Sequence, residues 1–103
     1  FRINKFANDV FYQSSLSSFI PKDRIDELFI MGCATDFCVE ASVQSALVKD
    51  YNVTVVKDGH TTADRPHVNA EDLIKHYNWV CSHMAPTQGQ VSVLSSEEIQ
   101  SAF

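Results

Sequence analysis

The sequence predicts an α/β fold, a parallel β-sheet flanked by helices, and three stretches carry that prediction. Leu28-Phe29-Ile30-Met31 is a short apolar run closed by Gly32, the pattern of a buried parallel strand. From Asp36 onward the apolar residues Val39, Val43, Ala46 and Leu47 fall at the i, i+4, i+7, i+8 spacing of one helical face. Val53-Thr54-Val55-Val56 is β-branched throughout and stops at the breaker Asp58-Gly59. A β-α-β order of this kind implies two parallel strands joined by a right-handed crossover.

The remaining elements follow in chain order. Phe1-Arg2-Ile3 reads as the end of a strand, with Lys5 just beyond it. Asn8-Asp9 marks a turn and Phe11 a core anchor. Ser14 to Ile20 reads as a short helix with Leu16, Phe19 and Ile20 inward, ended by Pro21. Ala70, Leu73, Ile74, Tyr77, Val80, Cys81 and Met84 predict a helix with a wide apolar face, and Cys81 on that face is core. Val91-Ser92-Val93-Leu94 is the last strand. Ser95-Ser96-Glu97-Glu98 is a capping box that opens a terminal helix through Phe103.

Bulk properties narrow the function. A chain of 103 residues is at most one domain, and 45% hydrophobic with 20% charged residues is ordinary globular composition. A net charge of -5 argues against nucleic acid or an anionic membrane as partner, since both call for basic patches. No apolar run approaches the roughly 20 residues of a membrane-spanning helix. Cys33, Cys38 and Cys81 are an odd number without disulfide or C-x-x-C spacing, which suits a reduced, cytoplasmic setting. No metal-binding cluster, phosphate-binding loop or dinucleotide fingerprint occurs, so neither metal nor cofactor is expected.

The chemistry points to Cys38. It falls in the first turn of the predicted helix, beyond the carboxyl end of the Leu28 strand, where ligand sites of open α/β sheets lie. Unpaired N–H groups and the helix dipole favour a thiolate there, and the same N–H groups can face an oxyanion formed on an attacked carbonyl. The competing reading makes Cys38 a small buried residue on the inner helix face. Lys5, if its strand joins the sheet, emerges at the same edge and favours the thiolate by its charge. The polar loop from Asp58 to His67 opens towards that edge too, with His60 as its candidate substrate-binding residue. A Cys–His pair using His60 or His67 as base also stays open. A Cys-x5-Arg phosphatase loop is excluded because Gln44 stands where arginine is required.

Gly32-Cys33-Ala34-Thr35-Asp36-Phe37-Cys38-Val39 resembles the G-x-A-T-D-x-C-V segment of the isochorismatase-like cysteine hydrolases, a group that includes nicotinamidases and N-carbamoylsarcosine amidases. The resemblance runs from about Arg2 to Leu94 and takes in Lys5, Phe11 and Leu16. It implies a Rossmann-like three-layer fold and a hydrolase that cleaves a small carboxamide or related C–N bond through an acyl-enzyme. Cys38 would be the nucleophile and Lys5 the triad lysine. A cis peptide between Cys33 and Ala34 would aim the Ala34 N–H into an oxyanion hole beside the Cys38 N–H, and Phe37 would contact substrate. The family's third catalytic residue, an aspartate ending its first strand, and the histidine metal ligands of nicotinamidases have no counterpart in the matched stretch. Residues 1–103 are therefore expected to be the C-terminal portion of a single larger domain. Within the family, vinyl ether hydrolysis of the isochorismatase type is the alternative; a non-catalytic binding or scaffold subunit is another. The expected partners are a small-molecule substrate and further copies of the chain, a homo-oligomer.

Overall fold

A computed structural model describes residues 2–25 and 27–102. Its elements are α1 (Leu16–Phe19), β1 (Glu27–Cys33), a π-helical turn (Thr35–Val39), α2 (Glu40–Val48), β2 (Asn52–Thr61), α3 (Ala70–Ser82), β3 (Val91–Leu94) and α4 (Ser96–Ala102). The three strands form one parallel sheet in the order β1-β2-β3. The α/β architecture and every expected strand from Leu28 onward are present. Of the strand expected at residues 1–3, Phe1 lies outside the described residues, and Arg2 and Ile3 are not strand. Phe103, expected to end the terminal helix, also lies outside them.

The core forms on one face of the sheet because alternate strand residues align across it. Leu28 pairs with Val53 and Val53 with Val91; Ile30 pairs with Val55 and Val55 with Val93. These rows pack with Val39, Val43, Ala46 and Leu47 of the helical stripe, with Cys81 of α3 and with Phe11. Right-handed crossovers that step in one direction across a sheet put their helices on the same face, which is why α2 and α3 residues share this core. Phe11 stacks on Tyr51 at 5.9 Å, and the Tyr51 hydroxyl donates to the Ile20 carbonyl, tying the chain around α1 to the β2 side. Leu16 and Ile20 face the core as expected. Phe19 does not: it is half exposed, because a helix of one turn turns only one side inward.

Two features depart from the sequence pattern. The apolar run of β1 is not enclosed, since β1 borders the sheet with Phe29 43% and Met31 60% exposed. The second strand does not stop at Asp58-Gly59 but runs on to Thr61. It does so through a bulge: Ile30 pairs with Val55, yet Gly32 pairs with His60, so two steps along β1 match five along β2. The breaker residues are absorbed in that bulge.

At the far end the capping box is formed. The Ser95 hydroxyl accepts from the Glu98 N–H at 3.1 Å and Glu98 accepts from the Ser95 N–H at 2.9 Å. Asp58, from the bulge of β2, adds a second cap through the Ser96 N–H (2.8 Å) and hydroxyl (2.7 Å). Among the described residues no helix is long and apolar enough to cross a membrane.

Candidate active site

The site is a turn that joins β1 to α2. Gly32 has φ +129°, a conformation that side-chain-bearing residues rarely adopt, and the Cys33–Ala34 peptide that follows is cis. The chain then makes one wide helical turn. The Ala34 carbonyl accepts from the Phe37 N–H (3.1 Å) and, five residues on, from the Val39 N–H (3.0 Å). Turns of this π type recur at functional sites. Here it presents Cys38 at the mouth of the helical segment while its neighbour Val39 turns into the core.

The Lys5 ammonium donates to the Cys38 sulfur at 3.2 Å and to the Ala7 carbonyl. The sulfur also lies 3.5 Å from Asn8 Oδ1. Lys5 reaches this position from an irregular segment, held one helical turn beyond Cys38 by Ser42. The buried Ser42 hydroxyl accepts from the Val10 N–H at 3.1 Å and donates to the Asn8 carbonyl at 3.3 Å. Lys5 and Cys38 open on a groove of about 480 Å³, also lined by Cys33, Phe11, Phe29 and Met31 and largely apolar. Cys81 lies in the core instead, where burial, then the charge of Glu40, pushes its thiol up.

Two side-chain networks brace the turn. Arg65 grips Asp36 with two bonds, Nε to Oδ2 and Nη2 to Oδ1, both 2.9 Å, and Thr62 donates to Oδ1 at 2.8 Å. Hydrogen bonds from Arg65 hold the Asp36 carboxyl well below the usual carboxylate range; burial opposes this and Thr62 reinforces it. The same guanidinium lies over the Phe37 ring, 4.9 Å from its centroid. On the other side Thr35 Oγ1 meets His60 Nδ1 at 2.8 Å, and His60 Nε2 meets Asn78 Oδ1 at 2.7 Å.

Of the residues singled out in the sequence, Lys5 and Cys38 are brought together. Ala34 and Phe37 lie within the same turn, Phe37 half exposed beneath Arg65 and not on the groove wall. His60 is not on the groove wall either. It sits on β2, 6% exposed, with both ring nitrogens engaged, because the bulge turns it inward against the Thr35 hydroxyl instead of out of a loop. Sequence reasoning passed over Asn8, Ser42, Arg65 and Asn78. Ser42 carried a usable signal, lying four residues after Cys38 on the helix; Asn8 read only as a turn former. Asp36 and Arg65 stand too far apart in sequence for any local periodicity to pair them. Among the described residues no three His, Cys, Asp or Glu side chains come together as a metal site needs.

Comparison with known proteins bears on the family and the fold. The chain is 43% identical over 54 residues to the nicotinamidase of Escherichia coli K12, an overlap of 52% of this chain and 25% of that protein. It is 30% identical over 79 residues to an Arabidopsis thaliana protein named as a probable inactive nicotinamidase, overlapping 76% of this chain and 40% of the relative. Among solved structures, a cysteine hydrolase of Pseudomonas syringae pv. phaseolicola superposes with TM-score 0.80 at 20% identity, over 98% of this chain and 49% of that one. The chain thus spans about half the length of that structure and less of the two relatives. The sequence pattern of the isochorismatase domain matches residues 1–88, and the chain belongs to the isochorismatase domain family.

Proposed function

We propose that the protein is a cysteine hydrolase of small carboxamides or related C–N bonds. The observation that carries this is Lys5 Nζ at 3.2 Å from Cys38 Sγ, at the mouth of a groove. An ammonium donating to sulfur favours the thiolate, the nucleophilic form. The thiolate attacks the carbonyl carbon, and the N–H groups of Ala34 and Cys38 receive the resulting oxyanion. Collapse breaks the C–N bond, the Lys5 ammonium gives the departing nitrogen its proton so that ammonia or an amine leaves, and a thioester remains on Cys38. Water then hydrolyses the thioester to the acid and the free thiol.

Residues 1–103 form, in this reading, the C-terminal portion of a larger domain. The exposed Phe29 and Met31 on the bordering strand support it, as does the apolar groove beside them. A carboxylate that completes a triad with Cys38 and Lys5 would come from the remainder of that domain.

The test is ammonia release by the intact protein across a panel of small carboxamides that includes nicotinamide. Cys38→Ala should abolish release and leave the circular dichroism spectrum unchanged; turnover retained in that variant rules the reading out. Pyruvate release from isochorismate, with no ammonia from any amide, would assign vinyl ether hydrolysis instead. The inactive status in the name of the Arabidopsis relative supports a second reading, a non-catalytic binding subunit. That reading predicts no turnover on any panel member and a Cys38 that alkylates no faster than a free thiol.

A further inference from the structure

The buried histidine has no part in the chemistry just described, and its surroundings fix both its tautomer and its purpose. The side-chain amide of Asn78 on α3 donates from Nδ2 to the Lys57 carbonyl at 3.2 Å. That bond orients the amide, because the reversed orientation would set an oxygen against the carbonyl oxygen. Asn78 Oδ1 therefore faces His60 Nε2, 2.7 Å away, and can only accept. The proton of a neutral His60 ring sits on Nε2, and Nδ1 accepts from the Thr35 hydroxyl at 2.8 Å. Thr35 is 1% exposed, so its hydroxyl needs a partner inside the protein.

The irregular sheet exists in the right place to make this arrangement. Without the extra residues of the β2 bulge, the residue opposite Gly32 would be Lys57; with them it is His60. Bulges re-aim side chains next to functional sites. Here the bulge supplies the histidine and also the Lys57 carbonyl that orients Asn78, so the chain Thr35–His60–Asn78–Lys57 closes back on β2, the strand that carries His60.

We infer that His60 is a positioning residue: held as the Nε2–H tautomer by Asn78, it fixes through the Thr35 hydroxyl the backbone between Ala34 and Cys38. This inference rests on Cys38 being the nucleophile, since the segment it fixes carries that sulfur and both proposed oxyanion donors. Hydrogen-bonding capacity, not side-chain bulk, is what the turn asks of residue 35.

Two measurements on the intact protein test it. Nitrogen-15 NMR should place the proton of the neutral His60 ring on Nε2; a neutral ring protonated on Nδ1 overturns the inference whatever the thiol does. Iodoacetamide alkylation, assigned to Cys38 by tandem mass spectrometry, should be slowed about tenfold in Thr35→Val, which keeps shape and loses the hydroxyl. Thr35→Ser, which loses the methyl and keeps the hydroxyl, should restore most of the rate. A purely packing role predicts the reverse order, and equal rates in folded Thr35→Val and the unaltered protein overturn the inference. Should Thr35→Val fail to fold, Asn78→Leu takes its place, because it releases the tautomer from α3 without touching the turn; an unchanged rate there overturns the inference as well. The proposed function fails separately, if Cys38 of the unaltered protein reacts no faster than the exposed Cys33.

Discussion

At the scale of single residues, the site depends on charges held at short range. Lys5 is the cation at Cys38, so Lys5→Met should slow alkylation of Cys38 at neutral pH about tenfold or more while leaving the melting temperature nearly unchanged. Asp36 makes a prediction of the opposite kind. Its folded pKa lies below the ordinary 3.8, so its ion pair with Arg65 stabilises the fold fully above that value and loses this contribution as pH falls towards the folded pKa. Denaturant titrations should show a stability loss below about pH 4 that is smaller in Asp36→Asn than in the unaltered protein. The approach of Lys5 to Cys38 was legible through the family resemblance, not through the strand expected before Lys5, since Arg2 and Ile3 are not strand and Lys5 comes from an irregular segment. The grip of Arg65 on Asp36 was not, since it joins two loops whose approach depends on the bulge. His60 was legible as a residue of interest but not in its placement: a polar stretch after Asp58-Gly59 reads as an open loop, and only the strand pairing shows it turned inward.

At the scale of elements, the β1-to-α2 turn is the least replaceable part. Gly32 holds φ +129° with open space where a Cβ would lie, so the cost of Gly32→Ala is conformational, not steric. Thermal or denaturant melts should show a loss of about 2 kcal/mol, and Cys38 alkylation should slow as the turn relaxes. By contrast α4 is capped far from the site, and Ser95→Ala should cost about 1 kcal/mol with no change in Cys38 reactivity. The helices and strands were legible wherever apolar spacing was strong, as in Val39, Val43, Ala46 and Leu47 or in Val53 to Val56. The π-helical turn was not, because its wider hydrogen bonding shifts no apolar residue out of the helical stripe.

At the scale of the molecule, the core occupies one face of the sheet while the bordering strand leaves Phe29 and Met31 in solvent. Exposed apolar border strands favour association with other chains. Residues 1–103 expressed alone are therefore predicted to self-associate on size-exclusion chromatography, and Phe29→Lys with Met31→Lys to suppress this. A soluble monomer of unaltered 1–103 with one cooperative unfolding transition would count against the larger-domain proposal. The same pair of substitutions in the intact protein should lower stability, because the lysines would then meet the apolar remainder of the domain. The parallel pairing of β1 with β2 could be foreseen from the β-α-β pattern, but the exposure of Phe29 and Met31 could not be read from the apolar run itself, since a central and a bordering strand share it.

The measurement that bears most directly on the account is the rate of iodoacetamide attack on Cys38 in the intact protein, followed from acid to alkaline pH. A rate at neutral pH well above that of the exposed Cys33, falling to it in Lys5→Met, is the predicted result. A profile that matches free cysteine in both proteins would contradict it.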